Sequence, residues 1–315
     1  MRNKKGLEFG FNWIFAIIAG AVILFAAIYA TTKLIGTEST VSDTFIAAKL
    51  SNLLNPIETN LEDSKYVKIS FNEETRIYNE CGELGNFGKQ QISAASKIGS
   101  NGEFGEKSVR KSSFNKYLFS RNYEQGKELN IIIKPFEFPY KIADIDIIYS
   151  GDYCFINPPT NIEEEINDLS ADGAINIGIN ISNELRNCPF NSVIVCFDQL
   201  GCDVTVNTLS KIVSKNGEDV YYEGNLLYGA IFSNSELYEC QVKRLMKRTS
   251  ELASLYLGKS QKVSSRGCYS SNMDGELTVY ANLTLGLKDS LDLREISIST
   301  KNLGDKNEIL SCRLF

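Results

Sequence analysis

The chain has 315 residues, with 33 Lys and Arg against 39 Asp and Glu, eight Cys and no His. The absence of histidine excludes Ser-His-Asp and Cys-His nucleophiles, His-ligated zinc and facial-triad iron. The acidic balance lacks the basic surface that phosphate neutralisation needs, so no nucleic-acid partner is expected.

At the start, "MRNKK" leads into "NWIFAIIAGAVILFAAIYA", residues 12–30. As a helix, Phe9 to Ala30 spans roughly 33 Å, close to the thickness of a bilayer core. Trp13 and Tyr29 flank the run like interface aromatics. Arg2, Lys4 and Lys5 precede it, whereas Lys33 is soon followed by Glu38 and Asp43, so the amino terminus is expected inside and the bulk of the chain outside. This reading divides the chain into a cytoplasmic flank (1–6), a transmembrane helix (7–35), a juxtamembrane helix or stalk (36–63) and an extracytoplasmic domain (64–315), placing it in the cell membrane with the lipid bilayer as a partner. Ala16 and Gly20 form a small-xxx-small pair that permits close helix contact.

In the stalk, Val41, Phe45, Ala48 and Leu53 recur at near-helical intervals before Pro56. From Tyr66 the period changes to two in "YVKISF", "TRIYNEC" and "KQQISAAS", and strands are also expected at "LNIIIKPF", "DIDIIYS", "AINIGINIS", "SVIVCFD" and "CDVTVNT". Asn216 and Gly217 signal a hairpin, which favours antiparallel pairing over a doubly wound sheet. After "LLYGAIF" the character becomes helical, with Ser233 as cap, Glu236 three residues on, and Val242, Leu245, Leu252 and Tyr256 on one face. Lys243, Arg244, Lys247 and Arg248 fall on the other, read as a solvated face supported by pairs such as Glu239 with Lys243. Helices near 276–288 and 294–310 complete an α+β fold: a transmembrane helix, then an antiparallel-sheet ectodomain of one domain or two subdomains with a long C-terminal amphipathic helix.

Cys81, Cys154, Cys188, Cys196, Cys202, Cys240, Cys268 and Cys312 all lie beyond the apolar run. An even number suits disulfides in an oxidising space, and no CxxC spacing suggests zinc or a redox motif. Cys240, early in a long helix, reaches Cys268 awkwardly, which leaves Cys154 or Cys312. "NIS" at Asn180 and "NLT" at Asn282 are glycosylation candidates. No P-loop, HExxH or GxGxxG occurs, so no catalytic residue, cofactor or metal ligand is assigned. Asp144 and Asp146 share one face of a strand. Glu163, Glu164 and Glu165 open a helix capped by Thr160, so capping or surface roles are expected for these acids.

"KKGLEFGFNWIFAIIAG" and "YYEGNLLYGAIF" running into "YECQVKRLMKR" resemble uncharacterised single-pass surface proteins of archaea, over about a fifth of the chain. The opening also resembles the class III signal of type IV pilins, which implies cleavage after Gly6. The function expected is that of a membrane-anchored extracytoplasmic protein that binds or scaffolds other surface or membrane proteins; the alternatives are a pilin-like filament subunit that self-associates and a His-independent ectoenzyme using two carboxylates.

Overall fold

Alternating apolar and polar residues from Lys65 onward build a seven-stranded sheet in the computed structural model, which describes residues 15–31, 43–44, 46–48, 50, 64–85, 87–98, 102–171, 176–267 and 273–315. Its strands are β1 (Lys65–Gly82), β2 (Lys89–Ile98), β3 (Glu103–Phe104), β4 (Lys111–Ser113), β5 (Leu118–Phe119), β6 (Tyr123–Glu137) and β7 (Lys141–Tyr149), ordered β3-β2-β1-β6-β7-β5 with β4 on β2. The pairings are antiparallel apart from β5 on β7. "YVKISF" and "TRIYNEC" are one strand, bulged between Ser70 and Thr75.

A six-stranded sheet follows, of β8 (Tyr153–Ile156), β9 (Ile179–Ser182), β10 (Val193–Phe197), β11 (Val204–Asn207), β12 (Ile212–Lys215) and β13 (Glu218–Tyr221), ordered β13-β12-β11-β10-β8-β9. The expected hairpin is β12–β13, with Asn216 and Gly217 at φ 52° and 79° as a type I′ turn demands. β11 also pairs antiparallel with β12, but antiparallel pairing goes no further: β9, β8, β10 and β11 run parallel to one another. Between β8 and β9 the chain carries a helix, α2 (Thr160–Ala171), which supplies the length that a parallel crossover needs. Between β10 and β11 residues 198–203 loop back, closed by a Cys196–Cys202 disulfide and by Asp198 N–H donating to Val206 O at 2.8 Å.

Residues 15–31 form a helix, α1, whose 17 residues rise about 25 Å. Among the described residues no helix is long and apolar enough to cross a membrane. The transmembrane helix, the single-pass location with its cytoplasmic amino terminus and the part of the fold class built on them are corrected accordingly. Ala16 and Gly20 are exposed on α1, and a Cβ at Gly20 would meet nothing within 4 Å. Gly6 lies outside the described residues. Within 36–63, Ala47 and Leu50 pack with Ile77, Ile92 and Ile131 of the large sheet, and Asp43 accepts the Ser96 N–H at 3.0 Å. The described part of the expected stalk is therefore core.

Four further helices, α3 (Leu226–Phe232), α4 (Ser235–Ser264), α5 (Asp274–Leu285) and α6 (Leu293–Ile309), join the two sheets into one hydrophobic core. "LLYGAIF" is itself helical: all seven residues of α3 are buried, touching β5 and β7 of one sheet and β12 of the other. A helix wrapped on every side has no polar face and hence no readable period. Gly229 permits the closest approach, since a Cβ there would lie 2.6 Å from the Phe119 ring. Ser233 closes α3, its N–H donating to Gly229 O at 3.0 Å, and Asn234 takes the N-cap position of α4.

The buried end of α3 leaves carbonyls without helical partners. Lys215, from the hairpin, supplies them: its Nζ donates to the carbonyls of Ala230 and Ser233, and to that of Ile231 at 3.4 Å. Burial pushes its ammonium down to about 7. Between that value and the ordinary 10.5 the unfolded chain holds a proton that the folded chain has released, so the contribution is complete above about 10.5 and lost as pH falls through about 7. Urea midpoints at pH 7, 8 and 9, below the range in which the tyrosines of the unfolded chain ionise, are expected to climb in the parent. Lys215→Met should show a smaller climb; parallel curves would contradict the assignment.

Candidate functional site

The outer face of the small sheet is where two loops are nailed down covalently. Cys154, Ile156 and Cys196 are buried there, with Cys188, Ile194 and Cys202 packed over them. Cys154–Cys188 fixes residues 183–192 with Cα atoms 5.7 Å apart, and Cys196–Cys202 fixes 198–203 at 5.9 Å. Hydrogen bonds complete the clamp. Asp198, at φ 53°, accepts the N–H of Thr208 at 2.8 Å and its hydroxyl at 2.5 Å, and Asp203 accepts Ile194 N–H at 2.8 Å. Ser182 accepts Glu184 N–H at 3.1 Å, and Asn157 Nδ2, at the end of β8, donates to Gln199 Oε1 of the second loop at 3.4 Å.

What these fixed loops display is apolar. Phe190 is 93% exposed, Leu200 85% and Leu185 49%, and Leu209, on the turn between β11 and β12, is 95% exposed. Neighbouring charges are spent locally: Glu184 pairs with Arg186, and Asp198 with Thr208. No single residue type flags such a face; the signal available in sequence was the close Cys188, Cys196 and Cys202 spacing around isolated apolar residues.

The basic side of α4 is neither a polyanion dock nor a solvated face. Arg244 is wholly buried. Its Nε donates to Phe87 O at 3.0 Å, Nη1 to Lys116 O and Gln241 Oε1 at 2.8 Å each, and Nη2 to Phe114 O at 3.1 Å. Lys247 donates to Glu83 O and Arg248 to Ile142 O, both at 2.7 Å, while Lys243 pairs with Glu83 at 3.3 Å. Glu239 instead accepts Ser290 N–H at 2.7 Å, which corrects the expected Glu239–Lys243 support. These cations fasten α4 to loops of the large sheet.

Glu165 caps nothing. It forms an ion pair with Lys134, which is fully buried on β6, and accepts from Tyr228 Oη at 2.6 Å and Ser64 Oγ at 3.0 Å. The Lys134 ammonium lies 3.8 Å from the Tyr228 ring, and burial pushes it down to about 7. The group locks α2 against the large sheet. Thr160 lies within α2, where the Pro159 carbonyl accepts from Ile162 and Glu163. Asp144 pairs with Lys141 at 2.9 Å, and Asp146 is buried. A cleft of about 490 Å³ beside Cys81 and Cys240 holds other acids, Glu80, Glu83 and Glu236. Two of these are already paired, Glu80 with Arg110 and Glu83 with Lys243.

Cys240 pairs with Cys81 across 159 residues, not with Cys154 or Cys312. The start of α4 lies against the end of β1, while Cys154 is taken by Cys188 on the far face. Cys312 is also disulfide-bonded, and Cys268 lies outside the described residues. Asn180 is half-buried on β9. Asn282 is exposed on α5, but the hydroxyl of its sequon partner Thr284 is buried and donates to Tyr280 O at 2.9 Å. Comparison with family models, curated proteins and solved structures returns no match. The class that fold and site define is thus a disulfide-stapled α+β chain whose stapled loops carry exposed apolar side chains.

Proposed function

We propose that this chain is a binding module of an oxidising compartment, and that its stapled face receives another protein presenting apolar surface. The near-complete exposure of Phe190, Leu200 and Leu209 on or beside loops held by two disulfides carries this reading. Rigid loops lose little conformational freedom on docking, so buried apolar area converts more fully into affinity. Isolated aromatic and aliphatic anchors surrounded by satisfied polar groups are also the anatomy of a binding hot spot.

The test is a photo-crosslinking residue at position 190, with position 302 on α6 as control, in cells that make the protein. A discrete adduct with another protein is expected from 190 and not from 302. It should vanish in Leu200→Asp while the unfolding free energy stays within about 0.5 kcal/mol, as surface changes do. Equal adducts from both positions, or none from 190, would refute the assignment.

A further inference from the structure

The edges of the two sheets differ in how they are guarded. At β13 the Tyr221 N–H donates to Ser290 Oγ at 2.9 Å, and Glu218 and Asp219 place charge along the strand. In the large sheet, β3 and β5 are two residues long. Short strands, charges and covering groups are the devices that stop edges from pairing with other chains. β9 has the sequence Ile-Asn-Ile-Ser, with neither charge nor proline.

Among the described residues, its hydrogen bonding leaves a defined row open. Tyr153 N–H donates to Gly178 O at 2.7 Å and Asn157 N–H to Ser182 O at 3.0 Å. The alternation of a parallel ladder therefore spends Gly178, Asn180 and Ser182 on β8, and turns the N–H and C=O of Ile179 and Ile181 away from it.

We propose that β9 pairs with β9 of a second copy of this chain, antiparallel about a twofold axis at Asn180. With Asn180 opposite its own image, Ile179 faces Ile181 on either side. Each such pair exchanges two N–H···O=C bonds, so the four outward groups of one strand satisfy the four of the other. An uncharged strand meets its image without repulsion, as an isologous interface requires. The two six-stranded sheets then become one continuous sheet. With so short a strand, the association is concentration-dependent. It concerns the sheet edge and stands apart from the partner of the stapled face.

Sedimentation velocity on the full chain, made without glycosylation, tests this between about 10 µM and about 1 mM. The mass is expected to double across the range, and the amides of Ile179 and Ile181 to exchange about tenfold more slowly at the top than at the bottom. Ile181→Pro removes an outward N–H that β8 does not use, and Asn180→Lys sets two ammonium groups face to face; both should remain monomeric. If Ile181→Pro does not fold, Asn180→Lys decides. A monomer throughout, association that leaves these two amides unchanged, or association that persists in a folded variant would overturn the proposal.

Discussion

Replacing Arg244 with methionine is expected to lower the unfolding free energy by about 3–5 kcal/mol, the scale seen when one partner of a buried charged network is removed. Methionine matches much of the stem but donates nothing. The carbonyls of Phe87, Lys116 and Phe114 and the Gln241 amide oxygen would each lose a donor that they now share. An unpaired buried acceptor costs about 1–3 kcal/mol. The guanidinium also lies 5.0 Å from the Tyr117 ring, a contact methionine would keep only in part. Arg244→Lys should fall between, because an ammonium cannot fork toward several carbonyls at once. Urea unfolding followed by far-UV circular dichroism measures both. A loss below about 1 kcal/mol for Arg244→Met would mean that the guanidinium is not the fastener described, since ordinary surface changes already reach half of that.

The second large effect is expected from the paired variant Cys81→Ala with Cys240→Ala. The bridge spans 159 residues. Opening so long a loop frees much entropy in the unfolded chain, about 4–5 kcal/mol on the chain-entropy view. The value should sit near the upper end, because the cost grows only with the logarithm of loop length, and Cys154–Cys188 and Cys196–Cys202, which lie inside the loop, shorten it by too little to matter. Thermal and urea unfolding of the paired variant under non-reducing conditions gives the number. Crosslinking from position 190 should survive in the variant below its melting point, since the stapled loops do not depend on this bridge. If that adduct disappears from the folded variant, the stapled face and the β1–α4 junction are not independent.

Periodicity made much of this architecture legible. β1 buries alternate residues at Thr75, Ile77 and Asn79, and α6 buries Leu293, Ile296, Thr300, Leu303 and Asn307 at helical spacing, so their sequences state their own geometry, whereas β6 and β7 are buried in continuous runs. α3 did not, because burial on all sides erases the contrast on which periodicity relies. Parallel pairing in the small sheet was also hidden, as it is set by how residues 198–203 return over the sheet and not by composition. The apolar run at 12–30 reads as a run, yet among the described residues no helix is long and apolar enough to cross a membrane.

The site was less legible than the fold. Arg244 sits among Lys243, Lys247 and Arg248 in a pattern identical to a wet helix face. What distinguishes it are carbonyls more than 100 positions earlier, beyond any local reading. Lys134 and Glu165 find each other across 31 residues. Local chemistry served better for the turn at Asn216 and Gly217, whose left-handed backbone is written into the residue types.

The Cys81–Cys240 bridge has a consequence for the order in which the molecule is made. The first cysteine leaves the ribosome early and must wait, unreacted, until α4 follows, while four others that belong to Cys154–Cys188 and Cys196–Cys202 pass by in between. Those later pairs are close neighbours along the chain and can close at once, but Cys81 has no local suitor. Correct oxidation therefore depends on tertiary docking coming before its covalent seal, and an expression host without a disulfide-shuffling catalyst should accumulate chains in which Cys81 is wrongly wed.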